Sequence, residues 1–172
     1  MEKNKTVAFL ADEGVEDLEY YVPAMRLQEI GYDVVLASLK KDTITGKNGL
    51  KIRPDTTVDQ LRADDLFALV LPGGWSPDKI RRNKGVTELV AEVNKQGKVI
   101  GIICHGGLIA ISAGIVKGPA TGSLGIKDDI VNAGGTWVDE AAFTDGNLVW
   151  GRVVADIPDF NRELVAALEA AK

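Results

Sequence analysis

Residues 98–114 read Lys98-Val-Ile-Gly-Ile-Ile-Cys104-His105-Gly106-Gly107-Leu-Ile-Ala-Ile-Ser-Ala-Gly114. The uncharged run from Val99 to Ile103, rich in Ile and Val, suits a central parallel strand covered on both faces. Two glycines then permit a tight turn, and Leu108 to Ala113 can open a helix. The single cysteine and single histidine of the chain stand side by side at that corner. A side chain there is held at a strained tip beside the N–H groups of a helix N-terminus. That is the mechanical logic of a nucleophile elbow, with sulfur in place of a serine hydroxyl. The helix dipole and free N–H groups are expected to favour the thiolate, the reactive form.

Working outward, the pattern repeats. Thr6 to Leu10 reads as a first buried strand, followed by the acidic loop Asp12-Glu13-Gly14 and a helix from about Glu16 to Gly31. Leu18, Val22, Met25 and Ile30 approximate a helical stripe, and Gly31 is a natural C-terminal stop. Asp33 to Leu39 is a second strand. Turn signals at Gly46 and Asn48-Gly49 make Thr43 to Thr57 an excursion of small strands. Leu66 to Leu71 forms a third core strand that ends in Pro72-Gly73-Gly74. A helix starts at Pro77 or Lys84 and runs to Gln96, with Ser76-Pro77-Asp78 reading as N-cap, first-turn proline and dipole-complementing acid. Another helix spans Ile126 to Ala133. Late strands are expected at Thr136 to Val138, Ala142 to Thr144 and Leu148 to Val153, then a terminal helix from Pro158 to Ala171. Strands alternating with helices predict a flavodoxin-like α/β sandwich with a mainly parallel sheet. In such folds sites gather at the carboxyl ends of strands, where the loops Asp12–Glu19, Gly73–Asp78 and Cys104–Gly107 lie.

At 172 residues, the chain is read as one domain, 1–172, with enough length for a substantial core. A net charge of −5 and the lack of a basic stripe interleaved with aromatics argue against a nucleic-acid partner. The charge-free stretch Val99 to Val116 breaks better into strand plus helix than into a membrane span, so no membrane partner is expected. One cysteine excludes an internal disulfide and fits a reducing cytoplasm. The charged start, Met1 to Lys5, carries no visible secretory signal, and the sequon at Asn4 is discounted accordingly. A sole histidine cannot build a histidine-rich metal site. There is no dinucleotide fingerprint or Walker motif, so no cofactor is expected.

Several segments together resemble one family. Val15-Glu16-Asp17-Leu18-Glu19, Thr43-Ile-Thr-Gly-Lys-Asn-Gly49, Leu69-Val-Leu-Pro-Gly-Gly74, Ile103-Cys-His-Gly106, Ile111-Ser-Ala-Gly114, Gly125-Ile-Lys-Asp-Asp129, Asn132-Ala-Gly134 and Asp145-Gly-Asn147 occur in order from end to end. They are similar to the PfpI family of intracellular proteases. That family falls within the class I glutamine-amidotransferase-like superfamily, which also holds the parkinsonism-associated deglycase and glyoxalase-III-type chaperones.

The resemblance implies roles. Cys104 would be the nucleophile and His105 its assistant. Glu19 would lie beside the sulfur and, when protonated, donate to the thiolate and lower its pKa. Gly74 and His105 would supply oxyanion N–H groups. Asp78 matches the acid that proteolytic members receive from a neighbouring subunit, so a homo-oligomer (dimer or hexamer) with a shared active site is implied. The chain departs from the family in four places. Asp78 stands for glutamate, Gly107 for the proline after Cys-His-Gly, Ser123-Leu124 for an aromatic, and Trp150 to Val154 for a small polar, proline-containing segment. The leading expectation is a cysteine hydrolase acting on peptides through a thioester. One alternative is a glutathione-independent glyoxalase or deglycase acting on methylglyoxal-type aldehydes or glycated groups. Another is a non-enzymatic stress protein, a redox sensor or holdase.

Overall fold

The computed structural model describes residues 5–172; the sequon asparagine and the residues before it lie outside them. In chain order the elements are β1 (Thr6–Leu10), α1 (Asp17–Glu29), β2 (Asp33–Ser38), β3 (Ile44–Thr45), β4 (Lys51–Ile52), β5 (Thr56–Thr57) and β6 (Ala68–Leu71). They continue with α2 (Ser76–Ile80), α3 (Lys84–Lys95), β7 (Val99–Ile103), α4 (Gly107–Ser112), β8 (Pro119–Ala120), α5 (Lys127–Asn132), β9 (Thr136–Trp137), β10 (Ala142–Asp145), β11 (Leu148–Gly151) and α6 (Ile157–Ala170).

The main sheet runs β10-β11-β7-β6-β1-β2-β5 and is parallel except for the antiparallel edge pair β10–β11. Alternate residues of its strands feed two cores. Leu10, Leu71, Ile100, Ile102 and Trp150 pack on one face with residues of α3, α4 and α5. Phe9, Val70, Ile103 and Val149 pack on the other with residues of α1 and α6. All five residues of β7 are buried, as an apolar run covered on both faces requires, and each large aliphatic side chain contributes roughly 1.5–3 kcal/mol. From β1 the chain steps to β2 on one side, and later elements build outward through β6 on the other. This switch point opens a crevice above the carboxyl ends of β1 and β6, with β7 next to it. No helix among the described residues is long and apolar enough to cross a membrane.

Two expectations need refining. Of the two starts expected for the helix that runs to Gln96, Lys84 holds for α3, and Pro77 falls in the separate short helix α2, with a break at Arg81 to Asn83. Asn83 caps α3, its side chain accepting the Val86 N–H. Ser76 is not an N-cap; it is fully buried, and its hydroxyl accepts the Asp12 N–H at 2.7 Å. In α1, Leu18, Val22 and Met25 point to solvent, while Asp17, Glu19, Pro23, Ala24 and Leu27 are buried. The inward face thus combines apolar residues against the sheet with carboxylates that reach the crevice. The helix runs unbroken through Pro23, which leaves the Glu19 carbonyl without its usual intrahelical donor.

Candidate active site

Cys104 closes β7 at φ +58°, the one non-glycine residue among those described with positive φ. Left-handed backbone costs an L-residue about 1–2 kcal/mol, so the corner is strained as the elbow requires. A single 3-10 turn, Cys104–Gly106, leads into α4. The turn seats directly on β6: a Cβ at Gly106 would fall 2.0 Å from the Leu71 carbonyl oxygen. A Cβ at Gly107 would fall 2.7 Å from Ile126 Cδ1, so the missing side chain lets the turn pack on Ile126, with the buried Trp150 ring at ordinary contact distance beyond it.

The sulfur does not stand alone. His105 Nδ1 lies 3.4 Å from Cys104 Sγ, so the adjacent pair is in direct contact despite the alternation of neighbouring side chains. Glu19, fully buried on α1, accepts the Gly73 N–H at 2.7 Å through Oε2, and its Oε1 has no partner. A Cβ at Gly73 would lie 2.6 Å from Glu19 Oε2 and 2.8 Å from both Cys104 Cβ and the His105 nitrogen. Carboxyl, thiol and turn therefore converge on one glycine that only a missing side chain can accommodate. Gly74 adopts φ +80° and bridges to Val15, which ties the Pro-Gly-Gly loop to the loop after β1. Backbone N–H groups of His105 and Gly74 both act on the sulfur, where an oxyanion formed next to it would also find them.

Burial pushes the Glu19 carboxyl up to about 7, against the Gly73 N–H and the thiol, which favour its charge. Burial pushes the Cys104 thiol up to about 12, with the Glu19 charge adding to it and the N–H groups of His105 and Gly74 opposing. The two groups compete for one proton and titrate as a pair. The helix N-terminus does not by itself yield a thiolate, contrary to expectation, because desolvation and a neighbouring carboxylate outweigh it. The proton therefore rests on the sulfur, with the Glu19 carboxyl as its competitor. His105 is held below its ordinary value by burial and by the Lys47 charge, with Asp129 opposing; its ring is neutral and free to accept a proton at neutral pH.

These groups floor a cleft of about 350 Å³. Trp75 and Lys47 stand on one side, and Ser123, Val153, Val154 and Ala155 form the rest of the wall. Trp75 is thus a cleft wall, whereas Trp150 is core. Asp78, on the first turn of α2, does not reach this site within the chain. Its side chain is 78% exposed and pairs with Arg82 at 3.8 Å. Sequence reasoning missed three contributors. Glu16 lines the cleft, Lys47 stands over it, and buried Asp17 accepts the N–H groups of Asn48 and Leu50 at 2.7 and 2.9 Å to hold the β3–β4 hairpin. Their signal lies in the segments Val15–Glu19 and Thr43–Gly49, where nothing in the local pattern ties the acids of one to the turn of the other.

The DJ-1/PfpI family matches residues 5–167. This chain belongs to the DJ-1/PfpI family. It is 41% identical to a Pyrococcus furiosus member named deglycase PfpI over 164 residues, 95% of this chain and 99% of the relative. It is 34% identical over 168 residues to a Bacillus subtilis member provisionally named a cysteine protease, covering 96% and 98% of the two chains. Among solved structures, a two-domain Anabaena variabilis protein with DJ-1/ThiJ/PfpI-like and ferritin-like domains superposes with a TM-score of 0.93 at 34% identity. That match covers 96% of this chain and 48% of that one. Schizosaccharomyces pombe DJ-1 shares the fold, with a TM-score of 0.86 at 18% identity over 96% of each chain. Family relatives bear enzyme names, and both reaction types expected from the sequence occur among them.

Proposed function

We propose that this family member is a cysteine-dependent enzyme of the glyoxalase/deglycase type, acting on small 2-oxoaldehydes and their early adducts with amines. The observation that carries the reading is the small cleft, in which a strained thiol, a neutral imidazole at 3.4 Å and a buried carboxyl titrating at about 7 meet. Ionised Glu19 takes the thiol proton as Sγ bonds to the aldehyde carbon. The carbonyl oxygen, held by the N–H groups of Gly74 and His105, receives that proton from Glu19 to give a hemithioacetal, which leaves the carboxylate ionised again. Where the carbon still carries an amine, that amine leaves with the thiol proton as the C–S bond forms. Glu19 then moves the proton from C1 to C2 while the C1 hydroxyl proton passes to the C2 oxygen, which oxidises C1 and reduces C2 with no external redox partner. The product is a thioester of a 2-hydroxy acid. Water, deprotonated by His105, cleaves it and restores the thiol. A carboxyl titrating close to working pH can serve in both directions.

The test is lactate formation from methylglyoxal without glutathione, together with amine release from a methylglyoxal–amino acid adduct. Both are expected from the wild type and absent in Cys104→Ala, whose circular dichroism should be unchanged. If the wild type makes no lactate and releases no amine, the reading is overturned.

A peptidase remains the second reading, favoured by the name of the Bacillus subtilis relative. It requires a carboxylate on His105 from another copy, and exposed Asp78 is the candidate. Cleavage of a fluorogenic peptide that rises with protein concentration and disappears in Asp78→Asn would support it. Self-association is part of both readings, as is a reducing cytoplasmic setting for the free thiol.

A further inference from the structure

We propose that Lys47 is the substrate-selecting residue of the cleft: its ammonium receives a carboxylate or phosphate carried by the carbonyl substrate, so anionic carbonyl compounds are preferred over neutral ones. The inference rests on the cleft chemistry proposed above and names the substrate class within it.

Lys47 is the lysine among the residues that line the cleft, and no arginine accompanies it. Its Nζ lies 3.7 Å from Glu16 and 5.7 Å from the centre of the Trp75 ring. The first distance compensates charge without a short hydrogen bond. The second is a cation–π approach that steers the side chain over the opening. An ammonium has three donors, so it can keep Glu16 and accept a second anion. Glu16 needs no rescue in that event, because Asn48 Nδ2 donates to its Oε1 at 2.8 Å.

The backbone beneath Lys47 is fixed in advance. Its own N–H donates to the Val15 carbonyl at 2.7 Å, and Asp17 takes the N–H groups of Asn48 and Leu50. Gly46 packs so tightly on that carboxylate that a Cβ would approach Asp17 Oδ1 to 2.4 Å. A loop already ordered loses little entropy when it binds, so the charge is presented in place. The Lys47 charge also reaches the reaction centre, acting on both Glu19 and His105. Ligand charge placed beside it shares one cleft with the sulfur.

Two near-isosteric thiol reagents isolate the effect. Iodoacetate carries a carboxylate and iodoacetamide does not, and both alkylate Cys104. The ratio of their rates cancels any general change in thiol reactivity. In Lys47→Met the iodoacetate-to-iodoacetamide ratio is expected to fall about fivefold to tenfold, the size of a partly solvated charge pair, and to recover in Lys47→Arg. The wild-type ratio should also decline with added salt. A ratio within about twofold of wild type in Lys47→Met overturns the proposal.

The second arm compares turnover of 4,5-dioxopentanoate, an anionic 2-oxoaldehyde, with that of methylglyoxal. The ratio of the two kcat/KM values should fall about tenfold in Lys47→Met, and an unchanged ratio overturns the proposal. If neither compound is turned over by the wild type while the alkylation ratio shifts, the proposed reaction fails and anion selection by Lys47 stands.

Discussion

Glu19 carries the sharpest consequence at the scale of single residues. Its carboxyl titrates at about 7 in the folded chain against 4.5 ordinarily, because it is buried. Between those values the folded chain holds a proton that the unfolded chain has released. Stability therefore falls as pH rises through that window, by roughly 3 kcal/mol in total. Glu19→Gln removes the penalty while keeping an acceptor for the Gly73 N–H. The variant is expected to exceed wild type in urea denaturation by roughly 2–3 kcal/mol at about pH 8, with the difference shrinking towards about pH 5. A difference independent of pH would refute the assignment. The same variant should lose the activity, since an amide cannot carry the proton between C1 and C2. Much of this site was legible beforehand: an adjacent cysteine and histidine at a strand-to-helix corner, and a Gly-Gly turn, mark themselves by residue type. The titration behaviour was not, because it depends on burial and on a carboxylate brought from a distant helix.

The β3–β4 hairpin shows at the scale of elements what pattern reading misses. Asn48-Gly49 signalled its turn, yet nothing in local sequence ties that turn to Asp17 on α1. Burial works to raise the Asp17 carboxyl, and the N–H groups of Asn48 and Leu50 outweigh it, holding the carboxyl below its usual value. That support is present above the ordinary carboxylate range and is lost as pH falls through the lowered one. Asp17→Ala leaves two N–H groups without acceptors and is expected to cost about 2–4 kcal/mol. Hydrogen exchange at residues 46–50 should quicken well before the main sheet responds; uniform exchange across the chain would contradict a local anchor. Helix α1 makes the converse point. Its apolar stripe marks it as a helix, yet Leu18, Val22 and Met25 face solvent, while the buried side carries Asp17 and Glu19 together with Ala24 and Leu27.

That outward stripe acquires meaning at the scale of the whole molecule. Leu18, Val22 and Met25 stand 46%, 39% and 59% exposed at spacings of four and three, which places them on one side of α1. Leu50 is also exposed and is tied by its N–H to Asp17, at the start of the same helix. Water contact at four large apolar side chains in one region is costly, and such patches are commonly covered by association. The stripe lies on the helix that carries Glu19, so covering it would also steady the carboxyl beside the sulfur. On the self-associating reading, Val22→Glu places a charge in the middle of the contact. Light scattering after size exclusion should then give a smaller species than wild type at equal concentration, and Cys104 alkylation should keep its dependence on Glu19. If Val22→Glu and wild type share one mass, α1 is not the contact. Asp78, on a different surface, then becomes the place to look, with Asp78→Lys as the equivalent charge reversal.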